Sequence, residues 1–127
     1  MKLRIRNNSI RLRLTQSEVA QFGESGYVEE TIEFGGPTAP RLTYALTQND
    51  TENDIAANFE DDKITISVPS RQAQQWVDSD RAGIGTDQNI EGDRILRILV
   101  EKDFACVTPR QGEDDDDAFP NPNSAAC

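Results

Sequence analysis

The sequence predicts an α+β domain over residues 1–107: a twisted antiparallel β-sheet or half-barrel of seven to eight strands with two short helices, followed by an acidic tail over 108–127. Three observations predict it. Apolar and polar residues alternate in several short runs, the period of a strand with one buried face. Some of these runs come in pairs joined by two turn-forming residues, as hairpins do. Only two segments show helical spacing, each opened by a residue suited to cap a helix.

The first fourteen residues read as a hairpin. Leu3 and Ile5 alternate with Lys2, Arg4 and Arg6, and Ile10, Leu12 and Leu14 with Arg11 and Arg13, around Asn7-Asn8. Asn tolerates the positive φ of a tight turn. A two-residue loop sets Ile5 opposite Ile10, Arg4 opposite Arg11, Leu3 opposite Leu12 and Lys2 opposite Arg13. A slip of one residue would scatter the apolar side chains over both faces, so the register is well specified. Thr15-Gln16-Ser17-Glu18 then matches a capping box. Val19 and Phe22 form the apolar stripe of that helix, and Gly23 and Gly26 end it.

Residues 27–34 read as a third strand with Val28, Ile32 and Phe34 inward, and Leu42, Tyr44 and Leu46 mark a fourth. Residues 55–59 and 63–68 form a second hairpin around Asp61-Asp62, with Phe59 facing Ile64 and Ala57 facing Ile66. Ser70 is placed to cap a second helix whose stripe is Ala73, Trp76 and Val77. Residues 82–86 suggest a short strand weakened by two glycines. In 94–102, Leu96, Ile98 and Val100 point one way and Ile95 and Leu99 the other. That pattern predicts a central strand covered on both faces, one of them by a helix. The order strand, hairpin, helix occurs twice, but no internal repeat emerges from the residues themselves.

Composition excludes several functions. The net charge is −10, which opposes general nucleic-acid binding, since that requires cations to displace counterions from phosphates. Glu113, Asp114, Asp115, Asp116 and Asp117 supply half of that excess. No run reaches the roughly 18 apolar residues of a membrane helix. No apolar segment of about 7–15 residues marks a secretory signal. A cytoplasmic location is expected, with Cys106 and Cys127 as reduced thiols. The chain has no His. This excludes His general acid/base chemistry, Ser-His and Cys-His nucleophile pairs and His-ligated metals. No cofactor is expected, and the balance lies against an enzyme.

Four groups of residues could carry function. In the hairpin register, Lys2, Arg4, Arg6, Arg11 and Arg13 share one face, five of 13 cations in an acidic protein. Like charges opposed across strands destabilise by a few tenths of a kcal/mol, so an anion is expected nearby. Three sources fit: a neighbouring acidic strand bearing Glu29 and Glu33, the acidic tail folded back, or an external phosphate, nucleotide or acidic peptide. The acidic run itself reads as a solvated tail, because calcium loops alternate their ligands around a turn. Cys106 and Cys127 match no zinc or redox spacing, which leaves two ordinary thiols, a disulfide or a shared metal. Finally, Glu30 has core-facing parity and needs a cation or an open rim. With Glu33 it is a candidate metal ligand. The strand nevertheless departs from the alternating E-x-E-x-K of triphosphate-processing barrels.

These readings yield three functional expectations. The first is a non-enzymatic binding module whose arginine-rich face takes a protein or a small anionic ligand. The second is a small phosphate- or nucleotide-handling metal-dependent enzyme with an arginine clamp. The third is a thiol or metal site at Cys106 and Cys127. A bare edge strand would also allow a homodimer.

The segments NNSIRLRLTQSEVAQFGESGYVEETIEFG, LRILVEKDFACVTPR and EDDDDAFPNP resemble a family of short bacterial proteins of unknown function. The resemblance spans nearly the whole chain. It implies a bacterial source, a freestanding domain and an ordered tail around Phe119-Pro120-Asn121-Pro122. It brings no activity, cofactor or catalytic residue.

Overall fold

Each hairpin forms in the register that its alternating pattern dictates. Strand β1 (Lys2–Arg6) pairs with β2 (Ser9–Leu14), with Leu3 opposite Leu12 and Arg4 opposite Arg11. Strand β5 (Ala56–Glu60) pairs with β6 (Lys63–Val68), with Ala57 opposite Ile66. Asn7, Asp61 and Asp62 take φ of 50°, 52° and 60° in the two tight turns. The remaining elements are α1 (Gln16–Ser25), β3 (Tyr27–Glu33), β4 (Arg41–Gln48), α2 (Ser70–Val77), β7 (Gly83–Glu91) and β8 (Arg94–Lys102). The computed structural model describes residues 1–104; the tail, Cys106 and Cys127 lie outside them.

The architecture is α+β with two helices and eight strands, but the strands form two sheets rather than one. Their orders are β1-β2-β8-β7 and β3-β4-β6-β5. Both sheets are mixed. Strand β2 runs parallel to β8 and β4 parallel to β6, where an all-antiparallel sheet was expected. The two parallel pairings are equivalent under an internal structural repeat. Leu14 stands beside Lys102 in one sheet, and Gln48 beside Val68 in the other. Val68 lies 54 positions after Leu14, and Lys102 lies 54 after Gln48. The chain is therefore one ββαββ unit used twice, and the first hairpin of each unit pairs with the second hairpin of the other.

The same offset relates the hydrogen bonds that close the sheets. The Arg97 amide donates to the Asn8 carbonyl, as the Thr43 amide does to Asp62; the Asp103 amide donates to Leu14, as Asn49 does to Val68. Two features hide the repeat in the sequence. Equivalent positions share polarity but seldom identity, and the second unit carries two extra residues before its third strand. Val28 sits opposite Leu46 and Ile84 opposite Val100, so from Val28 to Ile84 the offset is 56.

Inward-facing residues from both sheets make a single core: Leu12, Leu14, Val28, Leu46, Ile66, Val68, Ile84, Ile98 and Val100 are buried. The helices enter it through Val19, Phe22, Ala73 and Trp76. Phe22 and Trp76 are themselves equivalent under the repeat. They meet edge to face, with ring centroids 6.2 Å apart and planes at 64°, an arrangement that suits the quadrupoles of two aromatic rings. Helix α1 has the full capping box between Thr15 and Glu18 and ends at Gly26, φ 75°. Helix α2 starts differently from expectation. Pro69 holds the cap position without a side-chain bond, and Ser70 is already helical, donating its amide and hydroxyl to Asp50.

Three strands also differ from expectation. Strand β3 stops at Glu33, and Ile32 and Phe34, expected inward, are exposed. Strand β7 runs to Glu91, well beyond residue 86, because pairing with β8 supports its polar half. Strand β8 is central, but no helix among the described residues covers its second apolar side. Among these residues no helix is long and apolar enough to cross a membrane.

Truncating either central ring is expected to be costly. Phe22→Ala or Trp76→Ala should each lower unfolding free energy by about 3–5 kcal/mol. Both variants should keep one cooperative transition in urea, because the two units share the core. Two separate transitions in the parent protein would contradict the interleaving.

Candidate functional site

Strand parity places Lys2, Arg4, Arg6, Arg11 and Arg13 together on the outer face of the first sheet, opposite the apolar residues that enter the core. Pairing with β8 and β7 extends this face into three cross-strand rows. The rows are Arg6, Ser9, Arg97 and Asp87; Arg4, Arg11, Leu99 and Gly85; and Lys2, Arg13, Glu101 and Gly83. Arg97 is thus a further cation on the face. Its parity, opposite to buried Ile98, marks it as outward-pointing in the sequence, but no local signal pairs β8 with β2.

The anion source expected from β3 is not here, because β3 belongs to the other sheet. There Glu29 accepts from the Tyr27 hydroxyl at 2.5 Å and lies 3.7 Å from Lys63 Nζ. Carboxylates reach the arginine face along its own strands instead. Glu101 stands 2.9 Å from Arg11 Nε, Asp103 stands 2.9 Å from Lys2 Nζ, and Asp87 stands 3.0 Å from Arg97 Nε. The hydrogen bond between the last two holds Asp87 below and Arg97 above its usual pKa.

Between the cations lies a groove of about 460 Å³, walled by Arg4, Arg6, Arg11 and Arg97 and floored by Ile95 and Leu99. Ile95 and Leu99 are the second apolar side of β8, half-buried although no helix lies over them. Gly85 shapes the floor. A Cβ there would stand 2.6 Å from the Ile98 carbonyl oxygen and 2.7 Å from Leu99 Cδ2, so only glycine lets Leu99 lie flat over β7. The hairpin tip is pinned by Asn8 Nδ2 donating to the Ile95 carbonyl at 2.6 Å and by Ser9 Oγ donating to Arg6 at 2.6 Å. The result is a surface that combines several guanidinium donors with an apolar strip. This suits an extended ligand carrying both negative charge and an apolar group.

The repeat supplies an internal control. At the positions equivalent to Lys2, Arg4, Arg6, Arg11 and Arg13, the second hairpin carries Ala56, Asn58, Glu60, Thr65 and Ser67. At those of Arg97 and Leu99, β4 carries Thr43 and Ala45. The same backbone thus forms without a row of cations.

Glu30 and Glu33 do not come together. They lie on opposite faces of β3 by parity, and Glu30 faces inward on a different sheet from the arginines. The Glu30 carboxylate accepts from the Met1 ammonium at 2.5 Å and from the Tyr44 hydroxyl at 2.9 Å. Glu18 binds the same ammonium. Burial opposes charge on the Met1 amine, but its bonds to Glu18 and Glu30 outweigh burial and hold its pKa above the ordinary 8.0. Burial likewise opposes charge on Glu18, and its bonds to the ammonium and to Thr15 hold it below 4.5. Burial, with Glu30 adjacent, pushes the Tyr44 hydroxyl up to about 12. This cluster ties the start of β1 to α1 and β4. Among the described residues no group of three metal-ligating side chains converges. Cys106, Cys127 and the run Glu113–Asp117 lie outside those residues.

Residues 1–123 match the model of a family of unknown function (DUF7009), and the chain belongs to that family. No characterised protein and no solved structure is significantly similar to it.

The Met1 cluster sets a pH window. The raised amine stabilises the fold below pH 8.0, and that contribution is lost as pH rises through its folded pKa. The lowered Glu18 stabilises above pH 4.5, and that contribution is lost as pH falls. Melting temperature should therefore plateau between these values. Glu18→Gln should lower the plateau and flatten the acid limb, whereas a profile parallel to that of the parent would contradict the assignment.

Proposed function

We propose that this member of a family without an assigned activity is a non-enzymatic interaction module whose outer arginine face receives an extended, carboxylate-rich peptide. One observation carries the reading. Two hairpins of equivalent geometry occur in one molecule, and only the first concentrates cations. Folding does not require them, and opposing Arg4 to Arg11 and Lys2 to Arg13 is a small electrostatic cost that a structural role would not retain.

The partner's chemistry follows from the groove. Separate guanidinium groups spaced along two strands match several carboxylates in an extended chain, each able to accept charge-assisted hydrogen bonds. The strip of Ile95 and Leu99 adds an apolar contact that a bare phosphate could not use. The face is open rather than enclosed, as suits a peptide more than a small metabolite. The absence of His removes the commonest acid/base group, in keeping with binding rather than turnover.

Calorimetric titration of the full chain at low ionic strength tests this, using a synthetic peptide with an aspartate run followed by a phenylalanine. Arg4→Ala combined with Arg11→Ala should weaken binding at least about tenfold, since each lost charge-assisted bond is worth about 1.5–3 kcal/mol. The melting temperature should be nearly unchanged. Equal affinities for parent and variant would contradict the reading.

A further inference from the structure

We propose that the resident ligand of the arginine face is the chain's own segment Glu113–Asp117 together with Phe119, which masks the face in cis until a competing acidic partner displaces it. The proposal rests on the reading above and names the occupant of the same site.

Three observations support it. The first is where the described chain ends. Strand β8 delivers Asp103 to the outer rim of the first sheet, where its carboxylate meets Lys2 at 2.9 Å. The chain thus leaves beside the row of Lys2 and Arg13 rather than across the molecule. The second is reach. Glu113 lies ten residues beyond Asp103, which at full extension is about 33 Å. Lys2 to Arg6 is four steps along β1, roughly 13 Å. Every cation on the face is within range, and five extended acidic residues span about the same length as β1. The third is complementarity of two kinds. Five consecutive carboxylates match the arginine wall, and Phe119, two residues further on, matches the apolar strip of Ile95 and Leu99. The family match also runs to residue 123, so the segment lies within the unit that the family shares.

Tethering makes this contact effective even if it is weak. A short linker holds the segment at an effective concentration on the order of millimolar. A free acidic partner must outcompete that, so the tail sets an affinity threshold. Docking would also withhold the Phe119 ring and the acidic charge from other surfaces.

The test compares full-length variants with the same aspartate–phenylalanine peptide as probe, at physiological salt so that distant charges are screened within about 8 Å. Glu113→Gln with Asp114→Asn, Asp115→Asn, Asp116→Asn and Asp117→Asn should bind the probe about tenfold more tightly than the parent. Adding Arg4→Ala and Arg11→Ala should abolish that gain. Phe119→Ala changes no charge, so a severalfold gain in probe affinity from it reports loss of docking rather than a shift in net charge. Probe affinities unchanged in both tail variants, with binding still dependent on Arg4 and Arg11, would overturn the masking proposal and leave the face as a binding site. No measurable binding by the neutralised variant would overturn both.

Discussion

Two parallel strand pairs hold the molecule together. Strand β2 against β8 and β4 against β6 each join a hairpin from one ββαββ unit to a hairpin from the other. Without these pairings each unit would present two separate hairpins and a short amphipathic helix, and isolated hairpins are marginal in water. With them, inward residues of both sheets share one core, in which Phe22 meets Trp76, while Ile5, Ile32 and Phe59 stay exposed. The outer faces are then released from any structural duty. One carries Thr, Ser and Asn among charges of both signs, including Glu29, Glu60 and Lys63, and the other becomes the arginine face.

The structural repeat explains how a protein with net charge −10 can hold six cations on one surface. The backbone hydrogen bonds and buried apolar residues that specify a hairpin are present in both copies, so the outward residues of the first are free to diverge. The like-charged pairs cost a few tenths of a kcal/mol each, little beside the burial of Leu12, Leu14, Ile98 and Val100 beneath them. The carboxylates of Glu101, Asp103 and Asp87 offset part of the repulsion from the edges of the face. In the middle row Arg4 and Arg11 stand at one end, Arg11 beside Glu101, and Leu99 over Gly85 at the other.

Much of this was legible in the sequence, and the losses have physical causes. Two-residue periodicity is enough to read both hairpins, their registers and the face shared by five cations, because a slip would expose the core side. The capping box at Thr15 was equally clear. Sheet partnership was not legible. Which hairpin lies beside which is decided by non-local pairing, and parallel neighbours leave no turn to read. Hence the acidic polarity of Glu29 and Glu33 suggests neighbours for the arginines that the sheet order denies them, and nothing local to β8 brings Arg97 to the same face. The second apolar side of β8 was legible, yet its meaning as the floor of a groove depended on that same pairing. The role of Glu30 depended on where Met1 falls, which no local pattern reveals.

The central claim is that the fold needs the hairpin but not its cations. The most direct measurement is thermal unfolding of the chain in which the first hairpin takes the outward residues of the second: Lys2→Ala, Arg4→Asn, Arg6→Glu, Arg11→Thr and Arg13→Ser. Cooperative unfolding with a midpoint within about 5 °C of the parent is expected, corresponding to roughly 1 kcal/mol. Loss of the cooperative transition would mean that the cations hold the structure together, and would contradict the account.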